Sequence, residues 1–259
     1  MNNMNDLTTA LIDIVAELGE NDLRLIVGGG FGLYLRHRYL VPRDGRTLLK
    51  HWPEPRSTND IDLFLRAELF VDSSLLEPLV KTLDRLNYHP VETAKYYQFV
   101  KQEGPLKVDL LTGTEDFLKS KGVMAKNRRA YPKPKILLHA RTVNEAITLE
   151  ENLAPVTIAG LRSDGRRAEI RIYVPHPFTY ILLKLFALRD RLNDPEKDYG
   201  RHHALDIFIV VATMTEDEWS TAQSLRDAFS QDPRYREATG IVRLLFADRQ
   251  SLGVVRIKE

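Results

Sequence analysis

The chain has 259 residues, 37 Lys and Arg against 36 Asp and Glu, and no Cys. That length fits one large domain or two small ones. The missing Cys excludes disulfides, Cys-ligated zinc, iron–sulfur clusters and a Cys nucleophile. A net charge of +1 exerts no overall pull toward nucleic acid or membrane. The longest apolar run, 207–214, is far short of the about 20 residues a bilayer needs. Residues 1–23 carry no Lys or Arg, so they lack the basic start of a secretory signal. A cytoplasmic protein with no membrane partner is expected.

Leu7, Leu11, Ile14, Val15 and Leu18 recur at helical spacing, which predicts a helix over 7–19 with Asp6 as N-cap and Gly19 as stop. A short strand over 23–27 then runs into Gly28-Gly29-Gly30, and a helix follows over 31–39. Residues 40–59 read as a polar loop holding Pro42, Gly45, Pro53 and Pro55. Strands are expected over 61–65, 97–101 and 106–111, the last two joined at Glu103-Gly104-Pro105, with a helix over 73–86 between. Further on, 156–159 and 168–174 form a hairpin about Ser163-Asp164-Gly165. Pro177 opens a helix to about 192, and helices follow over 203–213, 216–229 and 238–247. The pattern is α/β of the α+β kind: a core of sheet and helices over 1–125, then a C-terminal region over 126–259 made of the hairpin plus helices.

Strand, glycines, helix is how a phosphate-binding turn begins, because the backbone can approach a ligand at a helix N-terminus. The dinucleotide pattern G-x-G-x-x-G fails, since position 33 is Leu33, and no G-x-x-x-x-G-K-[ST] is present. A glycine turn that only packs strand on helix is the plain alternative. Asp60-Ile61-Asp62 is more telling. On a strand, i and i+2 point the same way, so the two carboxylates project together and repel unless a cation lies between them. Mg²⁺ suits such oxygen ligands and leaves room for phosphate. Asp109, between Val108 and Leu110, is a third candidate on a neighbouring strand. Three such carboxylates would make a two-metal site for phosphoryl chemistry, where Mn²⁺ would also serve. The structural alternative pairs Asp62 with Arg56 and Asp109 with Lys107.

Gly28-Gly29, Arg56-x-Thr58-x-Asp60-Ile61-Asp62 and Val108-Asp109-Leu110-Leu111 together resemble the nucleotidyltransferase superfamily that includes DNA polymerase β. Within it they look like the AbiEii/AbiGii toxin family. Lys184 and Arg191 match that family's Lys-x6-Arg element, and seven residues of helix put both on one face. The resemblance implies a nucleotidyltransferase fold: a small mixed sheet with flanking helices, its active site completed by a mostly helical C-terminal region. It also implies Mg-dependent transfer of a nucleoside monophosphate from an NTP to an acceptor, RNA such as tRNA or a protein, by the toxin of a toxin–antitoxin pair. Asp60, Asp62 and Asp109 would hold metal, and Asp109 would help deprotonate the acceptor. Gly28, Gly29, Arg56, Thr58, Lys184 and Arg191 would hold the nucleotide. The chain departs from the pattern in two places. Gly29 and Asp60 lie 31 residues apart, longer than usual. The last motif fits either Lys197-Asp198 or a register ending at Asp206, and both stay open.

Adjacent His202 and His203 point about 100° apart on a helix and do not chelate one ion. Residues 119–142 hold eight Lys or Arg, Tyr131 and no acid. That run reads either as a solvated loop after the sheet or, with the basic loop 38–57, as a track for an RNA backbone. A small-molecule nucleotidyltransferase of the antibiotic-modifying kind, and an NTP-binding protein without turnover, are the other functions this sequence fits.

Overall fold

The computed structural model describes residues 3–19, 23–40, 46–49, 53, 58–102 and 104–258. The candidate nucleotide ligand Arg56, and Arg43 and Lys50 of the first basic loop, lie outside the described residues. The chain forms two compact units. The first comprises Met1–Leu40, Pro55–Asn144 and Asn152–Pro175. The second comprises Val41–Glu54, Glu145–Glu151 and His176–Glu259.

In the first unit α1 (Asn3–Leu18) is followed by β1 (Ile26–Val27), α2 (Gly29–Tyr39), β2 (Asp60–Leu65), α3 (Glu68–Val71) and α4 (Glu77–Arg85). Next come β3 (Tyr88–Pro90), β4 (Gln98–Lys101), β5 (Lys107–Thr112), α5 (Glu115–Ser120), β6 (Met124–Lys126), β7 (Arg129–Tyr131) and β8 (Ala140–Thr142). A hairpin of β9 (Ala154–Leu161) and β10 (Arg167–Val174) closes the unit. The ten strands among the described residues form one mixed sheet, ordered β6-β7-β8-β5-β2-β1-β10-β9, with β4 bridging β5 and β3. The pairs β2–β5, β5–β8 and β1–β10 are parallel, and β1–β2 and β9–β10 antiparallel.

Strand alternation explains the layering. Ile61, Leu63, Val108 and Leu110 are fully buried with Leu7, Leu11 and Ile14 of α1 and Leu79 and Leu83 of α4 in one apolar core. The intervening residues Asp60, Asp62 and Asp109 point to the other face. Helix α1 packs on α4 and on β2, β9 and β10.

Several expectations shift. Helix α1 starts at Asn3, so Asp6 lies in its first turn, where a negative charge still offsets the helix dipole, and does not cap it. Helix α2 begins at Gly29 rather than residue 31. The run 119–142 is not a solvated loop. After the end of α5 it supplies β6, β7 and β8, because small or apolar Ala125, Ala130, Leu138 and Ala140 are buried while the charged residues between them face out. The 154–174 hairpin, read from sequence as part of a C-terminal region beginning at 126, pairs through Ile26 and Tyr173 into the first unit's sheet.

The second unit contains α6 (Pro177–Arg191), α7 (Arg201–Ala212), α8 (Glu216–Phe229), α9 (Pro233–Leu245) and α10 (Leu252–Lys258). Pro177 does open α6, with the His176 ring nitrogen capping the Phe178 N–H at 3.1 Å. Thr215 and Glu218 cap α8 reciprocally. Helix α9 starts at Pro233, earlier than the expected 238, because Asp232 caps it. Leu182, Leu185, Leu188, Ala204, Ile207, Ile241 and Leu245 form this unit's core. Among the described residues no helix is long and apolar enough to cross a membrane.

Candidate metal centre

The parallel pairing of β2 with β5 sets Asp62 directly opposite Asp109 and Asp60 opposite Lys107. One carboxylate oxygen from each of Asp60, Asp62 and Asp109 then lies within 4.8 Å of the other two, with all three residues half-buried. Among the described residues this is the single group of three acidic or imidazole side chains so placed. Three negative charges this close raise one another's energy unless protons or cations intervene. An all-oxygen donor set without sulfur or nitrogen suits hard divalent cations such as Mg²⁺ or Mn²⁺. The residues therefore fit a metal of that class.

Neighbours hold the cluster in shape. The Gln98 amide donates to the Asp109 carboxylate at 2.7 Å, and Gln98 is Asp109's antiparallel partner across β4–β5. The Thr58 hydroxyl donates to the Asp60 carboxylate. Burial pushes the Asp109 carboxyl above the usual carboxylate range. The Gln98 hydrogen bond opposes this shift, and the Asp60 charge adds to it.

The glycine turn belongs to the same site. The Gly28 N–H donates to the Asp62 carbonyl at 2.9 Å, fastening the turn to β2. Gly29 has φ +61, and a Cβ there would overlap the Asp62 carboxylate. A Cβ on Gly28 would meet the Phe64 ring. Both glycines are thus required by close approach of this turn to β2, quite apart from any ligand. The N-terminal end of α2 begins beside the carboxylates.

The remaining candidates lie in the second unit. The Lys184 ammonium is 2.7 Å from the Asp206 carboxylate, and both residues are buried. Asp206, one of the two open registers, is thus the partner of the lysine. Arg191 donates to the Ala187 carbonyl at 3.3 Å and lies 2.8 Å from the His203 ring nitrogen. Asp198 sits at φ 51 between Lys197 and Tyr199 and pairs with Arg201 at 3.1 Å. His202 reaches Asp198 at 3.8 Å and His203 reaches Arg191, so the two rings diverge as the helix geometry requires.

Sequence reasoning missed Gln98. The signal was present: equal steps outward from the turn at Glu103-Gly104 place Gln98 across from Asp109. It also missed the aromatic residues Tyr96, Tyr97 and His139, which approach β7 only through the fold. Set against known protein families, the chain matches none, and it matches no curated protein in sequence.

Proposed function

We propose that the protein is a metal-dependent nucleotidyltransferase that moves a nucleoside monophosphate from an NTP to an acceptor hydroxyl. The observation that carries this reading is the meeting of Asp60, Asp62 and Asp109 within 4.8 Å beside a Gly-Gly helix start. That combination supports the reading because carboxylates of a kind that takes a hard cation lie next to backbone N–H groups suited to phosphate. Asp60 and Asp62 would hold the metal from β2, and Asp109 from β5. A bound divalent cation supplies charge that draws electron density from the phosphoryl oxygens.

The chain's own residues do the rest. The acceptor oxygen forms its bond to the α-phosphorus as the bond to pyrophosphate breaks, and the acceptor proton passes to the Asp109 carboxylate. Gln98 holds the Asp109 carboxylate in orientation through one of its oxygens. Thr58 orients Asp60, and the missing side chain of Gly29 lets the Asp62 carboxylate sit against the turn. Catalysis of this kind rests on positioning and electrostatics. The proposal draws on the first unit alone, since Lys184 and Arg191 have partners of their own in the second. The nucleotidyltransferase fold and a toxin's role beside an antitoxin protein belong to the same proposal, through the sequence resemblance.

The test incubates purified protein with Mg²⁺, total RNA and each of four α-labelled NTPs, comparing wild type with Asp62→Ala. Label transfer by wild type alone is expected. Failure to bind any NTP in the presence of Mg²⁺ would remove the proposal.

A further inference from the structure

The sheet face that carries the carboxylates does not end at β5. Leu111 pairs with Arg141 on β8, and Arg141 pairs with Arg129 on β7. Cross-strand partners share a face, and so do residues two apart on a strand. Asp109, Leu111, Arg141, Arg129 and Tyr131 therefore lie on one continuous surface, which changes from acidic to cationic within two strands. By strand spacing, Arg141 is about 8 Å from Asp109 between Cα atoms.

Aromatic rings interleave with these cations. The Arg129 guanidinium stacks over the Tyr97 ring at 4.9 Å, and the Lys95 ammonium lies 5.4 Å from the Tyr96 ring centre. The His139 ring meets Tyr131 edge-on at 4.5 Å and Tyr96 at 5.4 Å. The backbone helps set this cluster: the His139 N–H donates to the Tyr96 carbonyl at 2.8 Å, and Tyr96 itself sits at φ 76, a conformation costly for a bulky side chain. Buried His139 Nδ1 has no hydrogen-bond partner among the described residues. Neither Arg129 nor Arg141 is within ion-pair distance of a carboxylate among the described residues, although the Arg141 charge acts on Asp109 from along the sheet. The nearby Glu115 is already engaged by the Arg128 N–H and by Lys119.

We propose that this cationic–aromatic stretch docks a single-stranded segment of nucleic acid, with phosphates on Arg129 and Arg141 and a base against Tyr131 and His139. Its end would then point toward Asp109 and supply the acceptor hydroxyl. This last step rests on the nucleotidyltransferase reading; the docking does not. Guanidinium groups answer the charge of a phosphate backbone, and π-faces accept any base, so the two together suit a single strand.

The experiment measures anisotropy of a fluorescein-labelled RNA of about eight nucleotides, without NTP, over a range of salt. Wild type should bind, and Arg129→Gln with Arg141→Gln should weaken binding by about tenfold or more and flatten the salt dependence by about 0.7 per lost contact. Tyr131→Ala should weaken it about tenfold through lost stacking. Unchanged melting and unchanged Mg²⁺-dependent NTP binding in these variants would show that the fold and the carboxylate site survive. The proposal is overturned if RNA does not bind, if the variants bind it as wild type does, or if poly-glutamate competes as well as RNA. It is equally overturned if the Arg variants lose NTP binding, since the patch would then belong to the nucleotide. Loss of RNA binding alone leaves the metal-site reading standing, and an inert but RNA-binding protein leaves the docking surface standing.

Discussion

Asp62 and Asp109 are register partners on two parallel strands, so the backbone pairing of those strands sets their carboxylates side by side. Carboxylates so placed repel one another, and a bound cation relieves that repulsion. Asp62→Asn keeps the strand pairing and removes one of the three carboxylates. It should abolish stabilisation by Mg²⁺. In wild type, saturating Mg²⁺ at about a hundred times its dissociation constant should add about 2.7 kcal/mol, a rise in Tm of about 5–10 °C. Melting curves of both proteins with and without metal check this. A wild-type Tm indifferent to Mg²⁺ and Mn²⁺ would contradict it.

Asp109 gives the site a pH signature. Its folded-state value is raised, chiefly by burial, so between the unfolded and folded values the native state holds more proton than the unfolded state. In metal-free protein this contribution is fully present below the unfolded value and is lost as pH rises through the folded value. Metal binding must run the other way, weakening as pH falls through the same window, because proton and cation compete for one carboxylate. Asp109→Asn should flatten both trends. Denaturant melts and Mg²⁺ titrations across the weakly acidic range supply the comparison.

Gly29 and Gly19 make an internal control. Both have positive φ, +61 and +62, but an added Cβ at Gly19 meets nothing within 4 Å, whereas at Gly29 it meets the Asp62 carboxylate. Gly19→Ala should cost only the backbone strain, about 1–2 kcal/mol. Gly29→Ala should cost more and should weaken metal binding, since Asp62 must move. Equal destabilisation with intact Mg²⁺ response in both variants would show that the close approach matters little.

The buried pair of Lys184 and Asp206 predicts strong non-additivity. Lys184→Met removes the cation that balances the buried Asp206 carboxylate and should cost about 3–5 kcal/mol. Adding Asp206→Leu should recover most of that loss. Chemical denaturation of the two single variants and the double variant completes the cycle. Simple additivity would indicate that the pair is not coupled.

Much of this molecule was written into local pattern. The amphipathic period of α1, the hairpin about Ser163-Asp164-Gly165, the proline that opens α6 and the outward pairing of Asp60 with Asp62 follow from periodicities of 3.6 and 2 and from turn chemistry. Strands β6 to β8 did not show, because three-residue strands carry too little alternation to read, and their buried positions are mostly alanine. The two-residue β1 is legible chiefly through the glycines that follow it.

The sequence by itself determined which carboxylates project together from one strand, and that a glycine turn precedes them. Only the tertiary structure decided that Asp109 faces Asp62, that Gln98 faces Asp109, that Lys184 meets Asp206, and that the basic run joins the sheet. The reason is physical: strand and helix periods act over a few neighbouring residues, whereas register between distant strands is set by burial of both apolar faces at once. The near-neutral charge of the whole chain concealed this arrangement, in which an acidic cluster and a cationic surface lie side by side on one sheet.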